Sequence, residues 1–187
     1  ILEGFKIPYT HSGVIASSIA MDKEISKKIF KKNKIRSPKS FLYSFDKRKK
    51  DLIKLIEKKI KFPVVVKPKN EGSSVNVYIC NKKNINRILK KMINYGQVMI
   101  EEFIGGREIQ IAIMGNKKLG AIELRPKRKF YDYQAKYNIK AKTEHIIPVN
   151  LPKKKLNEGL NIALKAHQKI GCRGISRSDF KFFNGKF

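Results

Sequence analysis

Residues 64–75 constrain the fold of this chain most. Their pattern predicts a buried strand that is followed directly by a loop suited to binding an anion. The run Val64–Val66 is apolar and β-branched, a pattern that favours a strand inside a sheet. Pro68 has no N–H to donate to a sheet ladder, so the strand is expected to end there. The Gly-Ser-Ser sequence at 72–74 offers backbone N–H groups and hydroxyls to an anion, beside the ammonium of Lys67. The spacing differs from a Walker loop, and an ordinary hairpin is the competing interpretation.

The strong positive charge of the chain would by itself suggest a nucleic-acid partner. There are 43 basic and 15 acidic residues among 187, a formal net charge of +28. Most of the basic residues are lysines in short runs that suit solvated helix faces, whereas specific nucleic-acid interfaces favour arginine forks and aromatic platforms. We therefore expect no nucleic-acid partner, although an anionic small substrate would be attracted.

Cysteine, histidine and hydropathy patterns exclude several other classes of protein. Cys80 and Cys172 are far apart and form no C-x-x-C motif, which indicates reduced thiols in a cytoplasmic protein. His145 and His167 match no metal-ligand spacing, and we expect structural roles for both. No apolar run approaches the roughly 20 residues of a membrane helix, so we expect no membrane partner.

Hydrophobic periodicity alternates between helical and strand patterns in an α+β order. Helices are predicted at 12–20, 22–33, 46–61, 85–96 and 156–170. Ser12 and Asp22 are the predicted N-caps of the first two. Strands are predicted at 41–45, 64–68, 75–79, 98–103, 108–114, 119–125 and 174–183, with a hairpin turn at Asn184-Gly185. Residues 127–143 have neither period, and we interpret them as a mobile lid that excludes water.

Four clusters of polar residues follow one another along the chain. They are Ala20-Met21-Asp22-Lys23, the Lys67 loop, the sequence IEEFIGGRE at 100–108, and the pair FYDYQAKY at 130–137 with CRGISRSDF at 172–180. In this order they resemble the D-alanine–D-alanine ligases of the ATP-grasp superfamily over nearly the whole chain. The resemblance implies an α+β ATP-grasp fold of two α/β lobes with antiparallel sheets that enclose a nucleotide cleft.

The resemblance also implies a division of the chain. Residues 1–20 would be the end of an N-terminal substrate domain or a connector, and 21–104 a small ATP-grasp lobe with the phosphate loop. Residues 105–187 would be a large ATP-grasp lobe with the lid. Further family segments on both sides would lie outside this sequence, and we expect the chain alone to be inactive for that reason.

Residues for ATP follow from the same resemblance. The nucleotide-binding residues it implies are Lys23, Lys67 and Lys136 for the phosphates, Glu101, Glu102, Phe103 and Ile104 for the adenine, and Glu108 for the ribose. Lysines suit the first role because phosphate charge in a dry cleft must be balanced. For the two carboxylates at 101 and 108, solvated strand positions are the competing interpretation.

The catalytic residues implied by the resemblance are Arg177, Ser73, Tyr137 and Lys136. Arg177 would contact the acyl-phosphate and the developing oxyanion, a role for which a planar guanidinium is suited. Ser73 and Tyr137 would close over the substrate as a hydrogen-bonded pair. Asp179 lies two residues beyond Arg177, hence on the same strand face, and would bind Mg²⁺ or Mn²⁺. A salt bridge to a neighbouring arginine is the alternative, and magnesium would need further ligands outside this sequence.

The implied reaction is the ATP-dependent joining of two D-alanines into D-alanyl-D-alanine, through an acyl-phosphate, for peptidoglycan precursor synthesis. The resemblance implies a cytoplasmic enzyme that is a homodimer when full length, with D-alanine and ATP as substrates. The resemblance also implies that Tyr137 favours the dipeptide over a lactate-terminated product. Another ATP-grasp carboxylate–amine ligase, or a nucleotide-binding fragment without turnover, are the alternatives.

Overall fold

The structure, a computed structural model, describes residues 1–46, 51–126 and 143–187. Their elements in chain order are α1 (Val14–Met21), α2 (Lys23–Lys32), β1 (Ser40–Ser44), α3 (Leu52–Lys59), β2 (Val64–Pro68), β3 (Tyr78–Cys80), α4 (Ile85–Lys91), a 3₁₀ turn (Ile93–Tyr95), β4 (Gln97–Glu102), β5 (Arg107–Met114), β6 (Lys117–Arg125), β7 (Glu144–Ile146), α5 (Lys153–Ile170) and β8 (Ile175–Phe182). Helices and two four-stranded sheets are both present, so the predicted α+β class is confirmed.

The chain divides into two compact units, residues 37–104 and residues 1–36 together with 105–187. The functional division at 20 and 104 rests on the resemblance and stays a prediction. Most of the predicted lid, residues 127–142, lies outside the described residues.

The unit 37–104 is built on a sheet in the order β1-β4-β2-β3, with antiparallel neighbours throughout. Val64, Val66, Val98 and Ile100 alternate along the two central strands and pack in one core with residues of α3 and α4. Their burial is complete, and Val65 on the opposite face is buried too, which explains why a continuous β-branched run predicted this strand correctly. As predicted, β2 ends at Pro68.

The predicted strand 75–79 is wrong at its start, since β3 covers Tyr78–Cys80. The reason is a turn between Ser73 and Asn76, which occupies residues assigned to the strand. Ser73, Ser74 and Asn76 have positive φ angles of 50°, 60° and 51°. Non-glycine residues adopt such a backbone at a cost of about 1 kcal/mol each.

The second unit is built on a sheet in the order β7-β6-β5-β8, again antiparallel. Ile109, Ile111 and Ile113 point from β5 towards α5 and are fully buried there with Ala163. An added Cβ at Gly159 would lie 2.7 Å from the ring of Phe187, so α5 packs closely against that ring at this position and a larger residue would displace it. The opposite face of β5 is thereby left for the side chains at 108, 110 and 112.

The helix ends test the predicted caps. Asp22 caps α2, because its carboxylate accepts from the N–H groups of Glu24 and Ile25, at 2.9 and 3.0 Å. The prediction of Ser12 as the cap of α1 is wrong: Gly13 is the N-cap, and it provides no side-chain bond. The Ser12 hydroxyl donates instead to the carbonyl oxygen of Arg173, at 3.1 Å. At the other end of the chain the hairpin at Asn184-Gly185 is confirmed, with both residues at positive φ.

None of the helices within the described ranges is both long and apolar enough to cross a membrane. Cys80 and Cys172 are free thiols. Burial raises the pKa of Cys80 to about 11, so its thiol stays protonated at neutral pH.

Candidate functional site

Lys67 and Glu101 form an ion pair inside the unit 37–104. The register places Val65 opposite Glu101 and Lys67 opposite Met99, so the two charged residues are diagonal neighbours on one face of the sheet. Lys67 Nζ lies 2.6 Å from Glu101 Oε1, and the side chains are only 19% and 9% exposed. Glu101 is therefore not a solvated strand carboxylate. A desolvated ammonium and carboxylate at the start of a polar loop can present charge to a phosphate or an amine.

The segment that follows Glu101 is fixed by backbone contacts. The Glu102 N–H donates to the Lys39 carbonyl oxygen at 2.9 Å, and the Lys39 N–H donates to Glu102 Oε1 at 2.6 Å. The Phe103 N–H donates to the Pro63 carbonyl oxygen at 3.3 Å. Ile104 follows as the last residue of the unit and is half-buried. The segment predicted to bind an adenine is thus hydrogen-bonded to Lys39 and to Pro63. These bonds fix its backbone, as a rigid binding surface requires.

The loop after β2 contains Ser73 near its tip. The Val75 N–H donates to the Gly72 carbonyl oxygen at 3.0 Å and closes the turn, while Ser73 itself is exposed. Its predicted partner Tyr137 lies outside the described residues, as does Lys136. The proposed closure of Ser73 over a substrate therefore stays a prediction.

In the other unit, six residues face away from α5 on two adjacent strands. They are Glu108, Gln110 and Ala112 on β5, directly opposite Lys181, Asp179 and Arg177 on β8. We call this set the β5–β8 face. It exists because strand side chains repeat every second residue, and the intervening residues of β5 fill the core under α5.

Arg177 and Asp179 contact each other on the β5–β8 face, so the prediction that they share a strand face is confirmed. Arg177 Nε donates to Asp179 Oδ1 at 3.0 Å, and Nη2 lies 3.5 Å from Oδ2. The two side chains are 57% and 40% exposed, which leaves the guanidinium accessible to a ligand. An accessible, oriented guanidinium can bind a phosphate or stabilise an oxyanion.

Glu108 is ion-paired to Lys181, its direct cross-strand neighbour on the same face. Sequence reasoning identified the glutamate and missed the lysine. Residue 181 lies two positions beyond Asp179, so the alternation of side chains along a strand predicts that it shares the face of Arg177 and Asp179. The contact with Glu108 depends on the register of two strands that are far apart in sequence.

The donor set does not fit a complete divalent-metal site. Within the described ranges no group of three or more His, Cys, Asp or Glu side chains is gathered. Asp179 supplies one carboxylate, and that carboxylate already accepts from Arg177. Magnesium takes about six oxygen ligands, so Asp179 alone cannot hold it. The assignment of Asp179 to Mg²⁺ or Mn²⁺ stays a prediction that requires other ligands.

Lys23 is the first residue of α2, directly after the cap Asp22. The positive end of the helix backbone adds there to the ammonium charge, an arrangement that suits an anion. The role of Lys23 towards a phosphate stays a prediction.

Two further polar pairs, which sequence reasoning missed, link β5 and β8 to neighbouring elements of the same unit. His167 on α5 is buried, and its Nδ1 lies 2.7 Å from Ser176 Oγ. Burial lowers the pKa of His167. Arg107 donates to both oxygens of Glu123, at 3.1 and 2.6 Å, and these bonds lower the pKa of the Glu123 carboxyl. Neither pair matches a short motif, so no local sequence signal reveals it.

Comparisons with known proteins agree with this architecture. A family model described as D-ala D-ala ligase C-terminus matches residues 39–186. The D-alanine–D-alanine ligase of Pelagibacter ubique (strain HTCC1062) is 68% identical over 187 residues, 100% of this chain and 62% of that protein. The corresponding ligase of Wolbachia pipientis wMel is 43% identical over 190 residues, 97% of this chain and 56% of that protein. The chain thus spans less than two thirds of the length of these relatives.

Solved structures give the same result. The crystal structure of a D-alanine–D-alanine ligase from Bacillus anthracis has a TM-score of 0.84 at 32% identity, covering 99% of this chain and 60% of that one. A structure of the Bacillus anthracis enzyme complexed with ATP has a TM-score of 0.81 at 30% identity, covering 99% and 59%. The predicted ATP-grasp fold is thereby confirmed. With its family match over most of its length, this chain belongs to the D-alanine–D-alanine ligases, as their C-terminal part.

Proposed function

We propose that this chain carries the ATP-binding and ligation residues of an enzyme that joins two D-alanines. The observation that carries the proposal is the accessible Arg177–Asp179 pair on the β5–β8 face, in a chain 68% identical to a protein named D-alanine–D-alanine ligase. An arginine oriented by a carboxylate and open to a ligand suits a reaction in which negative charge develops on phosphate and carbonyl oxygens.

ATP is the proposed co-substrate, and a similar structure at 30% identity is a complex with ATP. Lys67 and Lys23 are proposed to bind the phosphates, and the fixed segment from Glu101 to Ile104 the adenine. Glu108 is proposed to accept from the ribose hydroxyls. Lys67 already contacts a carboxylate, so a triphosphate would bind beside a preformed ammonium rather than recruit a solvated one.

The proposed reaction has two steps. A carboxylate oxygen of the first D-alanine attacks the γ-phosphorus of ATP, ADP leaves, and an acyl-phosphate results. The amine nitrogen of the second D-alanine then attacks the acyl carbonyl, loses a proton, and phosphate leaves. Arg177 would offset the charge on the transferred phosphate and the tetrahedral oxyanion, while Asp179 orients the guanidinium.

Other assignments remain part of the proposal. Lys136 and Tyr137 are proposed to contact the transferred phosphate and, with Ser73, to close over the substrate. Mg²⁺ or Mn²⁺ is proposed as the metal, with Asp179 as one ligand, and no step above depends on it. A homodimeric, cytoplasmic enzyme is proposed for the whole protein.

The proposal is tested with the native full-length protein, incubated with ATP and D-alanine. We expect ADP and phosphate in equal amounts, together with D-alanyl-D-alanine identified by mass spectrometry. D-lactate in place of the second D-alanine should give little product at neutral pH, because Tyr137 favours the dipeptide. Phosphate release without any dipeptide would contradict ligation and favour a different ATP-grasp reaction.

A further inference from the structure

We infer that Lys181 is a positioning residue for Glu108, which it holds in the orientation that accepts hydrogen bonds from the ribose of ATP. The inference rests on the proposed function, in which Glu108 binds the ribose. It concerns a residue that belongs to none of the recognised motifs. The site residues proposed on β8 are Arg177 and Asp179. Lys181 is the next side chain on the same face of that strand.

The backbone register carries the first part of the argument. Glu108 lies directly opposite Lys181 in the antiparallel pairing of β5 and β8. Directly opposite residues have Cβ atoms about 5 Å apart, so the long lysine side chain can reach the glutamate. The contact is therefore built into the sheet and does not depend on a loop.

Burial carries the second part. The side chain of Lys181 is 29% exposed and that of Glu108 is 16% exposed. At this exposure water screens the pair only partly, so the ammonium restricts the carboxylate more than a surface lysine would. Lys181 Nζ contacts Oε2 of Glu108. A carboxylate has about four lone-pair positions, so acceptor sites remain for two ribose hydroxyls.

Charge gives the third part. The ammonium of Lys181 balances the charge of the carboxylate within the sheet, so Glu108 is not drawn towards another cation and keeps one orientation. The row Arg177, Asp179, Lys181 alternates in sign along β8 and faces Glu108 at its end. A simple cross-strand salt bridge that only stabilises the sheet is the competing explanation. The two explanations make different predictions for nucleotide binding. Only a positioning role makes the effect of Lys181 on affinity depend on the ribose hydroxyls.

The test compares the binding of two nucleotides by calorimetry, with ATP and 2′,3′-dideoxy-ATP as probes. For Lys181→Met we expect the Kd of ATP to rise about fivefold, and that of the dideoxy analogue to change less than about twofold. Lys181→Arg, which retains a cation able to reach the carboxylate, should bind both nucleotides nearly as the wild type does. Glu108→Gln should show the same selective loss as Lys181→Met.

Lys155→Met is the matched control. Lys155 pairs with Glu158 at 2.7 Å on α5, in the same unit, with side chains 33% and 42% exposed. Its loss should leave both affinities unchanged, which separates the ribose effect from the loss of any lysine–glutamate pair. Circular dichroism verifies that each variant is folded.

The outcomes are distinguishable. If Glu108→Gln weakens ATP selectively and Lys181→Met weakens both nucleotides equally, or neither, the inference about Lys181 is wrong while the proposed function stands. If the wild type binds no ATP, or if Glu108→Gln has no effect on it, the proposed ribose role and the inference both fail. Selective loss in both variants, with recovery in Lys181→Arg, supports the inference.

Discussion

The two charge pairs formed by predicted site residues differ in what surrounds them. Lys67 and Glu101 are largely shielded from water, whereas Arg177 and Asp179 lie open on the β5–β8 face. Removal of one partner from a buried pair leaves a desolvated charge, but an exposed pair contributes little to stability. The comparison teaches that the first pair contributes to the framework of its unit in addition to its proposed contacts with ATP, while the second is open to a ligand and contributes little to stability.

Lys67→Met should produce the largest loss of stability. It removes the ammonium that is bonded to the buried Glu101 carboxylate, and we expect the free energy of unfolding to fall by about 3 kcal/mol. Urea denaturation followed by circular dichroism measures this. The combined variant Lys67→Met/Glu101→Leu should recover most of the loss, because two apolar groups need no charge partner.

Lys28→Met is the control for that experiment. Lys28 pairs with Glu24 at 2.9 Å on α2, and its side chain is exposed. Its removal should change the free energy of unfolding by less than about 0.5 kcal/mol. If Lys67→Met lowers the free energy of unfolding by as little as Lys28→Met does, the Lys67–Glu101 pair contributes no more to stability than an exposed pair.

Arg177→Ala should show the reverse pattern, with activity lost and stability kept. We expect the rate of dipeptide formation to fall at least about 100-fold, or about 2.7 kcal/mol, since a preorganised donor for the oxyanion is lost. The free energy of unfolding should change by about 0.5 kcal/mol or less, because the side chain is exposed. Arg87→Ala, at an exposed position of α4, should retain full activity. Equal rates for the two variants would exclude Arg177 from the chemistry.

The sequence predicted those parts of the molecule that local pattern determines. The β-branched run at Val64–Val66, the Asp22 cap and the shared face of Arg177 and Asp179 each follow from spacing within one element. The predicted cap at Ser12 is wrong because its hydroxyl donates to the carbonyl oxygen of Arg173, which is 161 residues away in the sequence. No local propensity encodes a contact of that range.

The candidate site shows the same division. Motifs identified Glu101 and Glu108, but their partners Lys67 and Lys181 depend on the registers of β2 with β4 and of β5 with β8. The sequence predicts Lys67 as a phosphate ligand but does not predict its contact with Glu101. A pairing register is fixed by which faces bury apolar residues across several strands, so it becomes visible only in the folded sheet.

His167 provides a smaller effect that depends on pH. Burial lowers the pKa of folded His167 below its ordinary value of about 6.5, so the unfolded chain binds the proton more readily. The free energy of unfolding is therefore independent of this group well above about pH 6.5. It falls as the pH drops below that value, by at most about 1.4 kcal/mol per pH unit, until the lowered folded pKa is reached.

The measurement compares urea unfolding of the wild type and His167→Gln between about pH 7.5 and 5.5. The free energy of unfolding should depend less on pH in His167→Gln than in the wild type. The difference between the two stability curves isolates the effect of His167 from that of the other titrating groups. His145→Gln, at an exposed position of β7, should follow the wild type. Parallel curves for wild type and His167→Gln would mean that the burial of this ring does not oppose its protonation.

Asp179→Asn should have the smallest effect on stability. The pair with Arg177 is exposed, so the free energy of unfolding should change by less than about 0.5 kcal/mol. The amide oxygen can still accept from Arg177 Nε, and the orientation of the guanidinium is kept.

If Asp179 acts only by orienting Arg177, Asp179→Asn retains much of the activity that Asp179→Ala loses. If it is also a metal ligand, Asp179→Asn weakens Mn²⁺ binding, measured by electron paramagnetic resonance, and loses activity nearly as Asp179→Ala does. Unchanged Mn²⁺ binding in both variants would leave the orientation of Arg177 as the role of this carboxylate, and would place the metal on other ligands.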